Sequence, residues 1–96
     1  NKNLFRKVKL NDILYLKAEH VYVELNLANG EKHLIRNTMN ALCEKMPRNF
    51  FRVHRSYAIN LDHLDAINTN YVLVGDDQLP VGKNYREELM KKIRVE

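Results

Sequence analysis

Short runs of alternating hydrophobic and polar residues dominate the chain and predict β-strands. Residues 4–10, LFRKVKL, alternate imperfectly, and residues 12–18, DILYLKA, form a denser apolar run. In residues 20–27, HVYVELNL, apolar side chains fall on one face of an extended chain and polar ones on the other. The Asn29-Gly30 pair predicts a hairpin turn, because both residues tolerate positive φ, and residues 32–36 form the returning strand.

Helical spacing interrupts the β pattern twice. In residues 37–47 four apolar side chains recur on one helical face, Thr38 is placed to cap the first turn, and Pro47 ends the helix. In residues 83–93 Tyr85, Leu89 and Ile93 have helical spacing. The chain therefore combines many strands with one short internal helix and a C-terminal helical turn or helix, which predicts a mainly β, antiparallel domain.

The β pattern resumes in FFRVHRSYAIN, residues 50–60, and continues through HLDAI, YVLVG and, after a turn at Asp76-Asp77, QLPVG. If residues 50–57 are extended, Phe51, Val53 and Arg55 face one way. Arg52, His54 and Ser56 then face the other way. Arg55 follows the apolar positions, so it should project from a strand end or a turn.

Composition describes one folded domain. The chain has 96 residues, of which 45% are hydrophobic and 29% charged. No apolar run reaches the roughly 18 to 20 residues of a membrane span, so a cytoplasmic location is expected. Cys43 is the single cysteine and is interpreted as a small buried hydrophobe. Because the first residue is Asn1 and not Met, we expect residues 1–96 to be one domain cut from a longer polypeptide.

The net charge of +4 and the pI near 9.3 favour an anionic partner. Arg48, Arg52 and Arg55 lie close together in the sequence. A second basic group closes the chain and consists of Lys83, Arg86, Lys91, Lys92 and Arg94. This last group is interpreted as a solvated helix face.

The chemistry of an enzyme is not indicated. None of the four histidines has the spacing of a metal site on one element, so we expect no metal and no cofactor. His54 and Ser56 stand two residues apart with no orienting carboxylate nearby in sequence, which argues against nucleophilic catalysis. The glycines are isolated, so no phosphate-binding glycine loop is present.

The remaining interpretation is a surface that contacts a charged partner. Arginine donors beside a serine hydroxyl suit phosphate. Arg55 at a strand end could reach a guanine edge, where a bidentate contact contributes about 1 to 3 kcal/mol of discrimination. The alternative for Arg55 is a surface ion pair.

Three segments together resemble the LytTR-type DNA-binding domain, the output module of many bacterial response regulators. They are DILYLKAEHVYVELNLANGE, FFRVHRSYAINLDHLDAI and LPVGKNYREEL, and the resemblance covers about residues 4–93. Its most specific part is the pattern F-x-R-x-H-x-S-x-x-x-N, which is matched by Phe50, Arg52, His54, Ser56 and Asn60.

The resemblance implies an elongated fold of about ten strands in antiparallel sheets that reads successive major grooves with loops along one face of the duplex. By position, base contacts fall to His20 in the loop near Glu19, to Arg55, and to Lys83 in the last loop. Phosphate contacts fall to Arg36, Thr38, Asn40, Asn49, Arg52 and Ser56. Two copies on a direct repeat of double-stranded DNA are implied as the bound state. The resemblance also implies that residues 1–96 belong to a longer regulator with an N-terminal signalling domain.

Some residues have alternative interpretations. The first loop is short, so His20 could be an ordinary exposed strand residue, and His54 could hydrogen-bond within the fold instead of contacting DNA. Position 17, often Glu in the family, is Lys here. Asn60 is expected to stabilise a turn through its side chain. The alternative function is a basic protein-interaction module that docks an acidic partner.

Overall fold

The computed structural model describes residues 7–93 and contains eight strands and two α-helices in that range. Two single 3₁₀ turns, Leu10–Asp12 and Leu61–His63, complete the regular structure. The elements in chain order are β1 Ile13–Glu19, β2 Tyr22–Leu27, β3 Lys32–Arg36, α1 Met39–Lys45, β4 Phe50–His54, β5 Tyr57–Asn60, β6 Leu64–Ile67, β7 Tyr71–Val74, β8 Asp77–Pro80 and α2 Lys83–Lys92.

The strands form two antiparallel sheets. The larger has the order β3-β2-β1-β5-β4, and the smaller has the order β6-β7-β8. The molecule is elongated, with extents of 48 × 24 × 21 Å. The predicted mainly β, antiparallel fold with one short internal helix and a C-terminal helix is therefore confirmed. The described residues contain eight strands where the resemblance implied about ten.

Two hydrophobic clusters hold the layers together. In the first, buried residues of β1, β2, β4 and β5 pack with Met39 and Leu42 of α1. In the second, Tyr15, Val53 and Ile59 of the larger sheet pack with the smaller sheet and with Leu89 of α2. The Tyr15 hydroxyl also donates to Asp77 Oδ2 at 2.8 Å and so links the two sheets.

The predictions that depend on neighbouring residues are confirmed at both ends of α1 and in the turn between β2 and β3. Thr38 Oγ1 accepts a hydrogen bond from the Ala41 N–H at the start of α1, and α1 ends before Pro47. Gly30 has a φ of +90° in the turn between β2 and β3, and Asn29 Oδ1 accepts from the Glu31 N–H there.

Two strand predictions are wrong in their extent. Residues 7–9 are irregular and Leu10 begins a 3₁₀ turn, so the strand predicted over residues 4–10 is absent from its described part, while residues 4–6 lie outside the described residues. In residues 20–27 most apolar side chains face the core, as the amphipathic pattern predicts. The exceptions are Val21, which is exposed in a turn, and the polar Asn26, which is buried.

The segment 50–60 is a hairpin and not one extended strand. β4 and β5 pair antiparallel, and Arg55 and Ser56 form the turn between them. A register shift between Arg52 and His54 also breaks the strict alternation of faces on which the predicted orientation depended. The expectation that Arg55 projects from a strand end or turn is confirmed by its position.

No helix in the range 7–93 is long and apolar enough to cross a membrane.

Candidate nucleic-acid interface

Two turns lie side by side at one end of the larger sheet, which we name the turn end. His20 and Val21 connect β1 to β2, and Arg55 and Ser56 connect β4 to β5. Since β1 and β5 are neighbours, the Ala18 N–H donates to the Ser56 carbonyl at 2.8 Å. The centres of the two turns are two strand spacings apart, or roughly 10 Å.

The end of β3 and the start of α1 reach the same place. Arg36 pairs with Tyr22, directly after the first turn, and is exposed. Thr38 follows as the cap of α1. Asn40, in the first turn of α1, accepts a hydrogen bond from Arg52 Nη1 through Oδ1 at 2.6 Å. Arg36 and Thr38 therefore lie beside the first turn, and Asn40 contacts the hairpin that carries Arg55.

Lys83 lies on the far side of this hairpin. The Gly82 N–H donates to the Val53 carbonyl at 2.7 Å, which places the start of α2 against the end of β4. A Cβ on Gly82 would lie 3.1 Å from Tyr85 Cδ2, which is a tight approach, and 3.5 Å from His54 Cα, which is an ordinary contact distance, so glycine lets the start of α2 pack closely here. Lys83 is exposed and is the first residue of α2, which corrects its predicted place in a loop.

Side chains of β4 build the Arg55–Ser56 turn. Arg52 donates from Nη2 to the Arg55 carbonyl at 2.7 Å and from Nε to the His54 carbonyl at 3.3 Å. The Ser56 N–H donates to His54 Nδ1 at 3.0 Å. The Arg52 guanidinium also lies over the ring of Tyr85, 5.6 Å from its centroid. The turn thus depends on two side chains of the strand that precedes it.

The cations of the turn end are not neutralised by carboxylates within residues 7–93. The salt bridges in that range join Lys17 to Glu19, His33 to Glu31 and Lys91 to Glu87. The exposed Arg55 side chain makes no hydrogen bond or ion pair there, so its predicted alternative as a surface ion pair is not observed. The positive charge of this surface is therefore available to an anion.

His20 has an unusual backbone conformation. Its φ of 56° is the positive value of a non-glycine residue, which costs roughly 1 to 2 kcal/mol because Cβ approaches the backbone. It is exposed at the tip of the first turn. The alternative of an ordinary strand residue is therefore wrong. No local sequence signal predicted this strain, since a two-residue turn with glycine would be the expected solution.

Asn49 does not join the other predicted contact residues. It precedes β4, at the end opposite the Arg55–Ser56 turn and roughly 16 Å from it along the strand. Its side-chain amide donates to Asn60 Oδ1 at 2.9 Å and to Asp62 Oδ2 at 3.1 Å. A phosphate contact through this amide would require it to give up one of these bonds.

Asn60 has the structural role that was expected. It is fully buried, and its Oδ1 accepts from the Asp62 N–H in the turn after β5. Its amide also donates to the Ile13 carbonyl at 3.0 Å, which ties that turn to β1.

Other candidate chemistry is limited. Burial raises the pKa of the half-buried Cys43 thiol, which keeps it protonated and unreactive. No group of three metal-ligating side chains occurs in the part of the chain that the structure describes. Lys91 and Lys92 are exposed on α2, and Arg94 lies outside the described residues. Sequence reasoning missed Tyr85 as the ring beneath Arg52, because their contact is long-range.

Comparisons with known proteins agree on one family. The model of the LytTr DNA-binding domain matches residues 3–94. The chain is 30% identical over 95 residues to the sensory transduction protein LytT of Bacillus anthracis, covering 92% of this chain and 38% of that protein. It is 28% identical over 94 residues to the transcriptional regulatory protein YpdB of Escherichia coli K12, covering 90% of this chain and 38% of that protein.

A solved LytTr DNA-binding domain from Bacillus cereus has the same fold. It superposes with a TM-score of 0.83 at 20% identity, covering 92% of this chain and 86% of the other. The chain spans well under half the length of the curated relatives it matches.

Proposed function

Because the chain belongs to the LytTr DNA-binding domain family, we propose that its turn end binds double-stranded DNA in a sequence-specific manner and thereby regulates transcription. The observation that carries the proposal is the convergence of eight of the nine predicted contact residues at this end, all except Asn49. Their cations lack carboxylate partners within residues 7–93, as a surface for phosphate requires.

The proposed base readers lie in a row: His20 in the first turn, Arg55 in the second, and Lys83 at the start of α2. All three are exposed. The proposal is that these elements enter successive major grooves along one face of the duplex. Arg55 offers the planar donor fork that guanine O6 and N7 accept.

The proposed phosphate contacts surround the base readers. Arg36, Thr38 and Asn40 lie on one side of the hairpin, and Arg52 and Ser56 belong to it. Arg52 engages neutral acceptors, so its positive charge remains uncompensated. Phosphate contacts of this kind provide affinity and register, and sequence discrimination is left to the base readers.

The test begins with selection of bound duplexes from a random library, which yields the cognate site. Guanine N7 methylation interference on that site should then give clusters about one helical turn, 10 base pairs, apart. Interference at a single contiguous cluster would contradict insertion into successive grooves. An unchanged random library after selection would contradict sequence-specific binding itself.

The proposal extends to the whole regulator. We place the domain in a longer cytoplasmic response regulator, without enzymatic activity of its own, that binds direct repeats as two copies. Titration of the isolated domain on one half-site and on two should give stoichiometries of one and two. A single copy on the repeat would contradict the tandem arrangement.

The alternative of an acidic protein partner is favoured by one observation. β3 is an edge strand whose Leu34 and Ile35 are exposed. Selection of bound duplexes from a random library separates the two functions, because a basic protein-docking surface would bind duplexes through their phosphates without regard to sequence.

A further inference from the structure

The hydrogen bond between Ser56 and His54 defines which ring nitrogen is the acceptor in a histidine beside the proposed base reader. The Ser56 N–H donates to His54 Nδ1 at 3.0 Å. A backbone N–H has no lone pair to offer, so Nδ1 is the acceptor, and the bond requires that nitrogen to be without a proton.

The His54 ring is held in this position by its neighbours. It meets the ring of Tyr57 edge-on, with centroids 5.7 Å apart. On another side, a Cβ placed on Gly82 would come within 3.6 Å of His54 Cδ2, so the start of α2 lies directly against the ring. The imidazole is thus packed between β5 and α2, and only half-buried at its remaining edge.

Arg55 is the residue between the two partners of the hydrogen bond from Ser56 to His54. The His54 side chain reaches across it to the Ser56 N–H, while Arg52 binds the carbonyls of His54 and Arg55 from the other direction. The turn contains no glycine, proline or asparagine that would favour it by local propensity. Its conformation therefore depends on these side-chain bonds.

We infer that His54 is a positioning residue, which aims Arg55 at the base edge by accepting the Ser56 N–H at Nδ1. This inference rests on the proposed function. It assigns His54 to sequence discrimination without any contact between His54 and DNA. It also follows that discrimination requires the neutral imidazole, because a proton on Nδ1 and the bond to Ser56 exclude each other.

Charged groups of both signs lie on the elements around His54, and most of them are cations. Its own hairpin carries Arg52, Arg55 and Tyr57, and the start of α2 carries Lys83, Tyr85 and Arg86. On β1, Lys17 and Glu19 form a salt bridge with each other.

Acidification separates this inference from a general charge effect. A second proton on His54 adds positive charge at the turn end, which by itself strengthens binding to any duplex. Loss of the turn bond weakens binding only to the cognate site. The ratio of cognate to random affinity should therefore fall on acidification, and it should fall by more in the native domain than in a variant that lacks the His54 imidazole but keeps His20.

Two matched substitutions test the position of the acceptor. His54→Asn keeps an oxygen acceptor close to the place of Nδ1, and it does not titrate. His54→Gln moves the acceptor one bond further out. We expect His54→Asn to keep the cognate-to-random ratio within about threefold and to lose the part of its pH dependence that comes from His54, while any response from His20 remains. We expect His54→Gln to lower the ratio about tenfold, as the loss of one hydrogen bond would.

A measurement without DNA tests the bond itself. The protection of the Ser56 amide hydrogen against exchange, relative to the intrinsic exchange rate at each pH, should be high while the nitrogen resonances of His54 show Nδ1 unprotonated, and should fall as that nitrogen gains a proton. Because this holds in the native sequence, the test remains decisive if His54→Gln does not fold. Equal protection of the Ser56 amide in both protonation states would overturn the inference.

The outcomes distinguish the two proposals. If the native domain does not discriminate among duplexes, the proposed function fails, while the Ser56 exchange still reports on the bond. If it discriminates but His54→Asn and His54→Gln lower the ratio equally, or the native ratio does not change with pH, His54 does not position Arg55 in this way.

Discussion

Replacing Arg52 by lysine separates two contributions that this residue is proposed to make. Lysine keeps the positive charge for phosphate. Its ammonium group can occupy one of the three acceptor positions that the Arg52 guanidinium fills, at the Asn40 side chain and at the carbonyls of His54 and Arg55. Arg52→Lys therefore removes two of these three hydrogen bonds, at least one of them to the turn, without a change of net charge.

The magnitude follows from those bonds. Hydrogen bonds to charged groups contribute about 1.5 to 3 kcal/mol when buried. Asn40 and Arg55 are exposed, so water replaces the lost donor and the cost falls to about 0.5 to 1 kcal/mol for each bond. The sum of about 1 to 2 kcal/mol corresponds to a 5- to 30-fold loss of affinity for the cognate duplex.

The assay is fluorescence anisotropy on the selected duplex and on random DNA over a series of salt concentrations. Arg52→Lys should lose cognate affinity while the slope of log affinity against log salt stays unchanged. Arg52→Ala should lose affinity on both duplexes, with the slope reduced by about one unit, because a phosphate contact is lost as well. Arg48→Ala is the matched control, since Arg48 is exposed at the opposite end of β4.

Cognate affinity equal to that of the native domain would refute the reasoning for Arg52→Lys, because the three bonds would then not support the turn. An equal loss on both duplexes would assign Arg52 to phosphate binding alone. Urea unfolding of each variant checks that the folded population is unchanged in the binding assay.

Three further changes test other parts of the structure. Arg55→Ala should cost about 1 to 3 kcal/mol on the cognate duplex and little on random DNA, whereas equal losses would reduce Arg55 to a phosphate contact. The free energy of unfolding should be about 1 kcal/mol higher for His20→Gly than for His20→Ala, since glycine adopts the positive φ without strain. Both variants should weaken discrimination between duplexes. Equal stabilities of the two variants in urea would contradict the backbone strain at residue 20. Tyr15→Phe should cost about 1 kcal/mol at neutral pH by removing the bond to Asp77. Burial raises the Tyr15 pKa, so the stability that the neutral hydroxyl contributes is present below the ordinary tyrosine value of about 10 and is lost as the pH rises above it. Between about pH 9 and about pH 12 the native domain should therefore lose more stability than Tyr15→Phe. Parallel curves of stability against pH would contradict this.

The sequence by itself determined the features that depend on neighbouring residues. A dense apolar run predicted β1, and alternating polarity predicted β2. The Asn29-Gly30 pair predicted the hairpin of β2 with β3, and Thr38 and Pro47 predicted the limits of α1. Each of these signals acts within a few residues, through side-chain periodicity, positive φ or a capping bond. The motif residues and the basic composition likewise identified the family and the class of partner.

Only the tertiary structure decided how the predicted contact residues are grouped. Segment 50–60 has the composition of one strand, because its turn at Arg55 and Ser56 contains no Gly, Pro, Asn or Asp and is supported by bonds from Arg52 and His54. The pairing of β1 with β5 then brings His20 beside Arg55, and the length of β4 carries Asn49 away from both. These relations depend on strand register and on contacts between residues far apart in sequence, which periodicity along the chain does not contain.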